Sequence, residues 1–449
     1  MKIQASSRLN AIPAYAFAEI NKEVAALKAA HERGEAVAPI DFGIGDPSEP
    51  TPDFVIEGLN AAGLKHASTG YPSYIGWEDF RIECAAYMKR TFGVELNPET
   101  EICSNIGSKE AVFNFPEGFI EPGDYVICPS PGYPPYKTGT IFAEGKPFYV
   151  PLLAENGFLI DYEAIPEEVA AQAKIIWVNY PNSPTGAVAD RKYYEGLIAW
   201  ARKHEIIIAA DEGCYIEIYY GQDRPLSILE IAREGIVAFY SLSKRNNMTG
   251  YRVGFLAGDQ AIIDIYKKLK TNIDSGTPSI CQEAGILAMR DTSHVAQMRQ
   301  LYEKKRDILL GAIEKAGLPV ADPAATFYIW QKVPGSDIDF AKRLLAPDIG
   351  IVVTPGSLIS DECEYSVQSG MKGLAAAAKK LVTNGLGSAM EAVSKTVEGV
   401  ASGVVGEAVE SFTGKSKINP GEGYVRFALM PTMEEMHEAA RRIGQLKGL

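Results

Sequence analysis

Five short apolar runs constrain how this chain can fold: residues 102–106, 125–128, 174–180, 205–210 and 236–240. None is long enough to be a core helix, and the stretches between them leave room for helices. Continuous short apolar runs read as strands buried on both faces. Strands alternating with helices imply a mainly parallel sheet covered on both sides, hence an α/β fold. Further on, residues 261–315 read as two or three helices, and a strand is expected over 325–330. Earlier, residues 1–16 read as an extended arm, residues 17–31 show helical spacing closed by Gly34, and Thr51-Pro52 opens another helix.

Open α/β sheets bind ligands beyond the carboxyl ends of their strands, and several such ends carry chemistry. After the run 236–240 comes Ser241-Leu242-Ser243-Lys244, with Arg252 eight residues past the lysine. A nucleophilic amine needs desolvation and cationic neighbours to lower its pKa, although a lone loop lysine is ordinarily a surface charge. The run 205–210 ends in Asp211, a carboxylate costly to bury unless paired, with Tyr215 four residues on and Gly213 between them as a bulge. Gly107-Ser108-Lys109-Glu110 opens a helix; Ser108 can cap it, and the same N-terminus can hold a phosphate. Residues 129–136 contain four prolines around Tyr133, which reads as a rigid, non-helical loop.

Together with Gly43-Ile44-Gly45, Gly70-Tyr71-Pro72, Pro181-Asn182-Ser183-Pro184-Thr185-Gly186 and Tyr424-Val425-Arg426-Phe427, these segments resemble the class I/II aminotransferases. That is the fold-type-I family using pyridoxal 5'-phosphate, and the closest likeness is to its bacterial alanine, aspartate and diaminopimelate branch. The resemblance covers residues 15–360 and 421–449. It implies a mostly parallel, seven-stranded large domain over 46–320. Residues 1–45 and 321–449 would form a smaller α/β domain.

The resemblance also implies roles. Lys244 would hold the cofactor as a Schiff base and serve as acid and base, while Asp211 would face the ring nitrogen and Tyr215 the phenolic oxygen. Tyr133 would stack on the ring, and Gly107, Ser108, Lys109, Ser241 and Arg252 would hold the phosphate. Tyr71 would reach the phosphate in the partner's site of a homodimer. Asn182 or Ser183 would contact the phenolic oxygen, since serine replaces the family's asparagine before Pro-Thr-Gly. Gly45 and Arg426 would hold the substrate carboxylate. The activity implied is amino transfer between an L-amino acid (diaminopimelate, aspartate, alanine or glutamate) and a 2-oxo acid. A carbon–sulfur β-lyase of the same fold, a cofactor-sensing regulator and a scaffold working through the insert are the alternatives.

Composition narrows the partners. A formal net charge of −13 without basic runs argues against nucleic acid. The six cysteines form no CxxC pair, which argues for a reducing, cytoplasmic setting and against a metal site. No apolar run approaches the length of a membrane span. Residues 361–419 interrupt the resemblance. An apolar stripe there, from Leu386 through Met390, Val393, Val397, Val400 and Val404 to Phe412, predicts a helical insert within the smaller domain. A self-packing appendage is preferred over partner contact. Mixed lysines and glutamates make membrane contact the least favoured.

Overall fold

The computed structural model describes residues 3–12, 18–365 and 416–446. After a short first strand, β1 (Ile40–Asp41), seven strands build the main sheet: β2 (Ile102–Asn105), β3 (Tyr125–Ser130), β4 (Lys146–Pro151), β5 (Ala173–Val178), β6 (Ile207–Gly213), β7 (Ile236–Ser241) and β8 (Gly254–Gly258). Their order is β2-β8-β7-β6-β5-β3-β4. Pairing is parallel from β7 across to β4, and β8 runs antiparallel to both β7 and β2. Alternate side chains feed separate layers: Ile176, Ile208, Ala238 and Phe255 face one core, and Trp177, Ala209, Phe239 and Leu256 face the other. Burial on both faces is why the central strands read as continuous apolar runs.

Several local expectations change. β6 does not stop at Ala210 but continues through Asp211 and Glu212 to Gly213. Ala210 pairs with Ala238 and Gly213 with Tyr240, so three steps on one strand oppose two on the other. A Cβ at Gly213 would lie 2.5 Å from the Tyr240 Cα, which restricts that bulge to glycine. The proline-rich stretch is no continuous loop. Pro129 and Ser130 close β3, and Pro134–Phe142 is a helix. Its two prolines sit in the first turn, where a missing N–H costs nothing. Gly107, not Ser108, caps the helix Ser108–Asn114, and the α-helix gives way to a 3-10 turn at Pro116 as its ring requires. The expected N-terminal arm contains one helical turn, Ser7–Asn10.

The second core is built on β9 (Tyr328–Lys332), β10 (Ile351–Val352), β11 (Thr354–Pro355) and β14 (Tyr424–Ala428), whereas β12 (Cys363–Tyr365) and β13 (Ser416–Ile418) form a separate two-stranded sheet. β14 lies antiparallel between β11 and β9, and β1 joins β10 in parallel. Phe327, Ile329, Ile351, Phe427 and Met436 fill this core together with Met298, Leu309 and Ile313 of the helix Ser293–Lys315. That helix packs on Met433–Ile443, so it serves the smaller core although it falls within the stretch 46–320. The ends of the insert are strands where helix was expected. β12 and β13 pair antiparallel, Cys363 opposite Ile418, and the apolar stripe 386–412 lies outside the described residues. Among the described residues no helix is long and apolar enough to cross a membrane.

Candidate active site

A cleft of about 620 Å³ opens at the carboxyl ends of β5, β6 and β7, between the two cores. Lys244 enters it from the one-turn helix Leu242–Arg245, whose cap Ser241 accepts the Ser243 backbone N–H at 3.2 Å. The Lys244 Nζ donates to the Gly45 carbonyl at 2.8 Å and lies 3.8 Å from the Asp46 carboxylate. Burial lowers its pKa, and the cations of Arg252 and Arg426 add to the effect against Cys214 and Asp46.

Asp211 lies on the floor, placed there by the β6 bulge. Its Oδ2 accepts the Tyr136 hydroxyl at 2.8 Å, and its Oδ1 is buried with no partner among the described residues. Burial pushes the carboxyl up to about 6, with the Tyr136 bond pulling the other way. Tyr136 is itself stacked on Trp177, centroids 4.7 Å apart. Beside it, Asn179 donates to the Asp211 carbonyl and accepts the Ser183 N–H at 2.8 Å. Ser183 therefore borders the cleft. Asn182 does not: its Oδ1 accepts the backbone N–H and hydroxyl of Thr185, which holds its own turn. Tyr215 lines the cleft, edge-on to Phe327 at 5.3 Å, and burial holds its hydroxyl far above the usual range.

At one end Ser108, Lys109, Ser241, Ser243, Thr249 and Arg252 converge. Gly107 lies behind them at φ +70°, where a Cβ would stand 2.3 Å from the Arg252 Nη2. At the other end Arg426 reaches in from β14. Its Nη2 donates to the Gly43 carbonyl at 2.8 Å, its guanidinium lies 4.7 Å over the Tyr328 ring, and its Nε is buried without a partner among the described residues. A Cβ on Gly45 would collide with the Tyr328 hydroxyl at 1.9 Å, so only glycine lets backbone come this close. Tyr133 forms part of one wall, its ring perpendicular to that of Tyr136. Tyr71 is outside the cleft and 89% exposed.

Pyridoxal phosphate fits these residues. The orphaned Asp211 Oδ1 calls for a buried N–H donor, as a protonated ring nitrogen is, and the serine–arginine end suits a phosphate. The low-pKa amine suits an aldehyde. Tyr136, Asn179, Cys214 and Tyr328 were not singled out in the sequence. For Tyr136 the signal was present, since prolines at 134 and 135 mark a helix start that turns residue 136 inward. Tyr328 had none, being one apolar strand residue among many.

The sequence matches the family model described as Aminotransferase class I and II over residues 37–362. It is 43% identical over 357 residues to the LL-diaminopimelate aminotransferase of Aquifex aeolicus (strain VF5), covering 78% of this chain and 90% of that protein. The LL-diaminopimelate aminotransferase of Nitratidesulfovibrio vulgaris (strain Hildenborough) is 45% identical over 358 residues, with the same 78% and 90% coverage. Among solved structures, an aminotransferase from Neisseria meningitidis Z2491 superposes with TM-score 0.79 at 28% identity, covering 98% of this chain and 99% of that one.

Proposed function

Because this chain belongs to the class I and II aminotransferases, we propose that its amino donor is LL-diaminopimelate. It is an enzyme that moves an amino group between an amino acid and a 2-oxo acid, and its cofactor is pyridoxal 5'-phosphate. The observation that carries the choice of donor is the extent of its identity with enzymes named for that substrate. The named relatives speak for transfer, and nothing favours the β-lyase.

Bound in the cleft, the cofactor supplies a conjugated ring that takes up the electron pair left when the substrate Cα loses its proton. The roles of the side chains are our reading. Arg426 holds the α-carboxylate, which its unpartnered Nε supports. Gly45 lets the carboxylate approach backbone. Lys244 would anchor the cofactor, and its Nζ would take and return the substrate's Cα proton, a task suited to an amine of lowered pKa. Asp211 keeps a proton on the ring nitrogen, Tyr133 packs on the ring, and Ser183 and Tyr215 address the phenolic oxygen. Ser108, Lys109, Ser241 and Arg252 hold the phosphate, with Gly107 making room for Arg252. We read the assembly as a homodimer, with the exposed Tyr71 serving the partner's cleft. We place it in the cytoplasm, in keeping with cysteines that are free.

Borohydride reduction of the loaded enzyme followed by peptide mapping should find the cofactor's mass on the peptide containing Lys244. Lys244→Ala should cut turnover by 10²-fold or more, on the order of a lost acid–base group; undiminished transfer would refute the assignment. Offered separately with a set of 2-oxo acids, LL-diaminopimelate should exceed by about 100-fold in kcat/KM those of aspartate, alanine and glutamate whose own 2-oxo acid is not the enzyme's acceptor. Parity with any of them would dismiss the proposed donor.

A further inference from the structure

The family match ends at residue 362, and the neck of the insert begins there. β12 and β13 close that neck antiparallel, and Lys417 adds an ion pair to Glu362 at 3.6 Å. The neck lies over the large sheet: β12 packs against the edge strand β4. Just before β12, Asp361 makes two kinds of contact across the cleft's rim. Its backbone N–H donates to the Ser130 Oγ at 2.8 Å, and its carbonyl accepts the Ser130 hydroxyl at 2.9 Å. Its carboxylate pairs with the Lys137 ammonium. Ser130 ends β3 three residues before Tyr133, and Lys137 follows it by one helical turn. Residue 361 therefore grips the Tyr133 segment on both sides, while Ile359, two residues earlier, lines the cleft itself.

We propose that Asp361 is a positioning residue, which fastens the neck of the insert to the Tyr133 segment and so sets the placement of that ring against the cofactor. The neck and the stacking wall then move as one body. This inference rests on the reading of Tyr133 as the ring's platform, so both are tested together in the full-length, cofactor-loaded enzyme. Ser130→Ala removes the two backbone-directed bonds, Asp361→Ala removes the ion pair, and Tyr133→Ala serves as reference. Readouts are the cofactor's Kd and its visible circular dichroism, which reports the ring's setting in the protein, alongside kcat and KM.

Ser130→Ala and Asp361→Ala should each weaken cofactor binding roughly 3- to 10-fold and alter the dichroic band, lowering kcat more than KM, as a small misplacement does. Asp361→Asn, which keeps a polar partner for Lys137, should fall between Asp361→Ala and the wild type. Lys137→Met breaks the ion pair from its other side and replaces Asp361→Ala should that variant not fold. The proposal is overturned if Tyr133→Ala changes Kd and dichroism while the Ser130, Asp361 and Lys137 variants leave both at wild-type values. If Tyr133→Ala itself changes neither, the platform reading fails and this inference fails with it.

Discussion

Asp211 is the side chain whose energetics depend most on what lies against it. With no partner on Oδ1 its ionisation is opposed by burial, which sets its pKa at about 6 against an ordinary 3.8. The folded state thus binds the proton more tightly than the unfolded chain. The stability this gives is complete below about pH 4 and is lost as pH rises through about 6. In cofactor-free protein, Asp211→Asn should therefore gain on the wild type over that window, by about 2–3 kcal/mol, and hold the gain above it. Melting temperatures from pH 4 to 8 check the sign; a gap that narrows with rising pH contradicts it. Loading the cofactor should reverse the ranking, because the carboxylate then has its cation. Lost at the transition state, a buried pair worth about 3–5 kcal/mol should lower the loaded variant's kcat by on the order of 10²- to 10⁴-fold.

At the scale of elements, the site stands on short pieces that could not hold themselves. The four-residue helix bearing Lys244 is below the length at which a helix is stable alone. It is pinned by its last residue: the buried Arg245 pairs with Glu217 and donates to the Ala288 carbonyl at 2.8 Å, and Glu217 also accepts the Tyr87 hydroxyl at 2.6 Å. Glu217→Ala leaves that guanidinium without its anion and should destabilise the enzyme by about 3–5 kcal/mol, read as a lowered denaturation midpoint. The turn at Gly107 is the second such piece. Gly107→Ala puts a side chain at φ +70°, ψ 151°, a region open essentially to glycine alone, at a cost of about 1–3 kcal/mol, and pushes on Arg252. Cofactor Kd should rise about tenfold or more, and an unchanged Kd would remove Arg252 from the phosphate end.

At the scale of the whole molecule, the exposed Tyr71 makes a prediction about assembly. In a homodimer where this residue serves the partner, Lys244→Ala and Tyr71→Ala homodimers are both impaired. A hybrid of the two has one site with lysine and tyrosine intact. Unfolding and refolding an equal mixture should recover roughly a quarter of wild-type sites. No recovery beyond the parents would mean that Tyr71 acts within its own chain or not at all.

What the sequence alone determined were the features that local chemistry imposes: the buried strands, the lysine past one strand's end and the carboxylate at the end of another. Each follows from a residue's own burial cost or conformational reach, so no distant partner has to be known. Only the tertiary structure shows that Ser183 borders the cleft while Asn182 turns its Oδ1 to Thr185, a matter of how that turn folds. It alone brought Tyr136 under Asp211, set Tyr328 beneath Arg426 and tied residue 361 to residue 130. Those are contacts between elements far apart in the chain, chosen by how the two cores pack, and no periodicity within either segment encodes them.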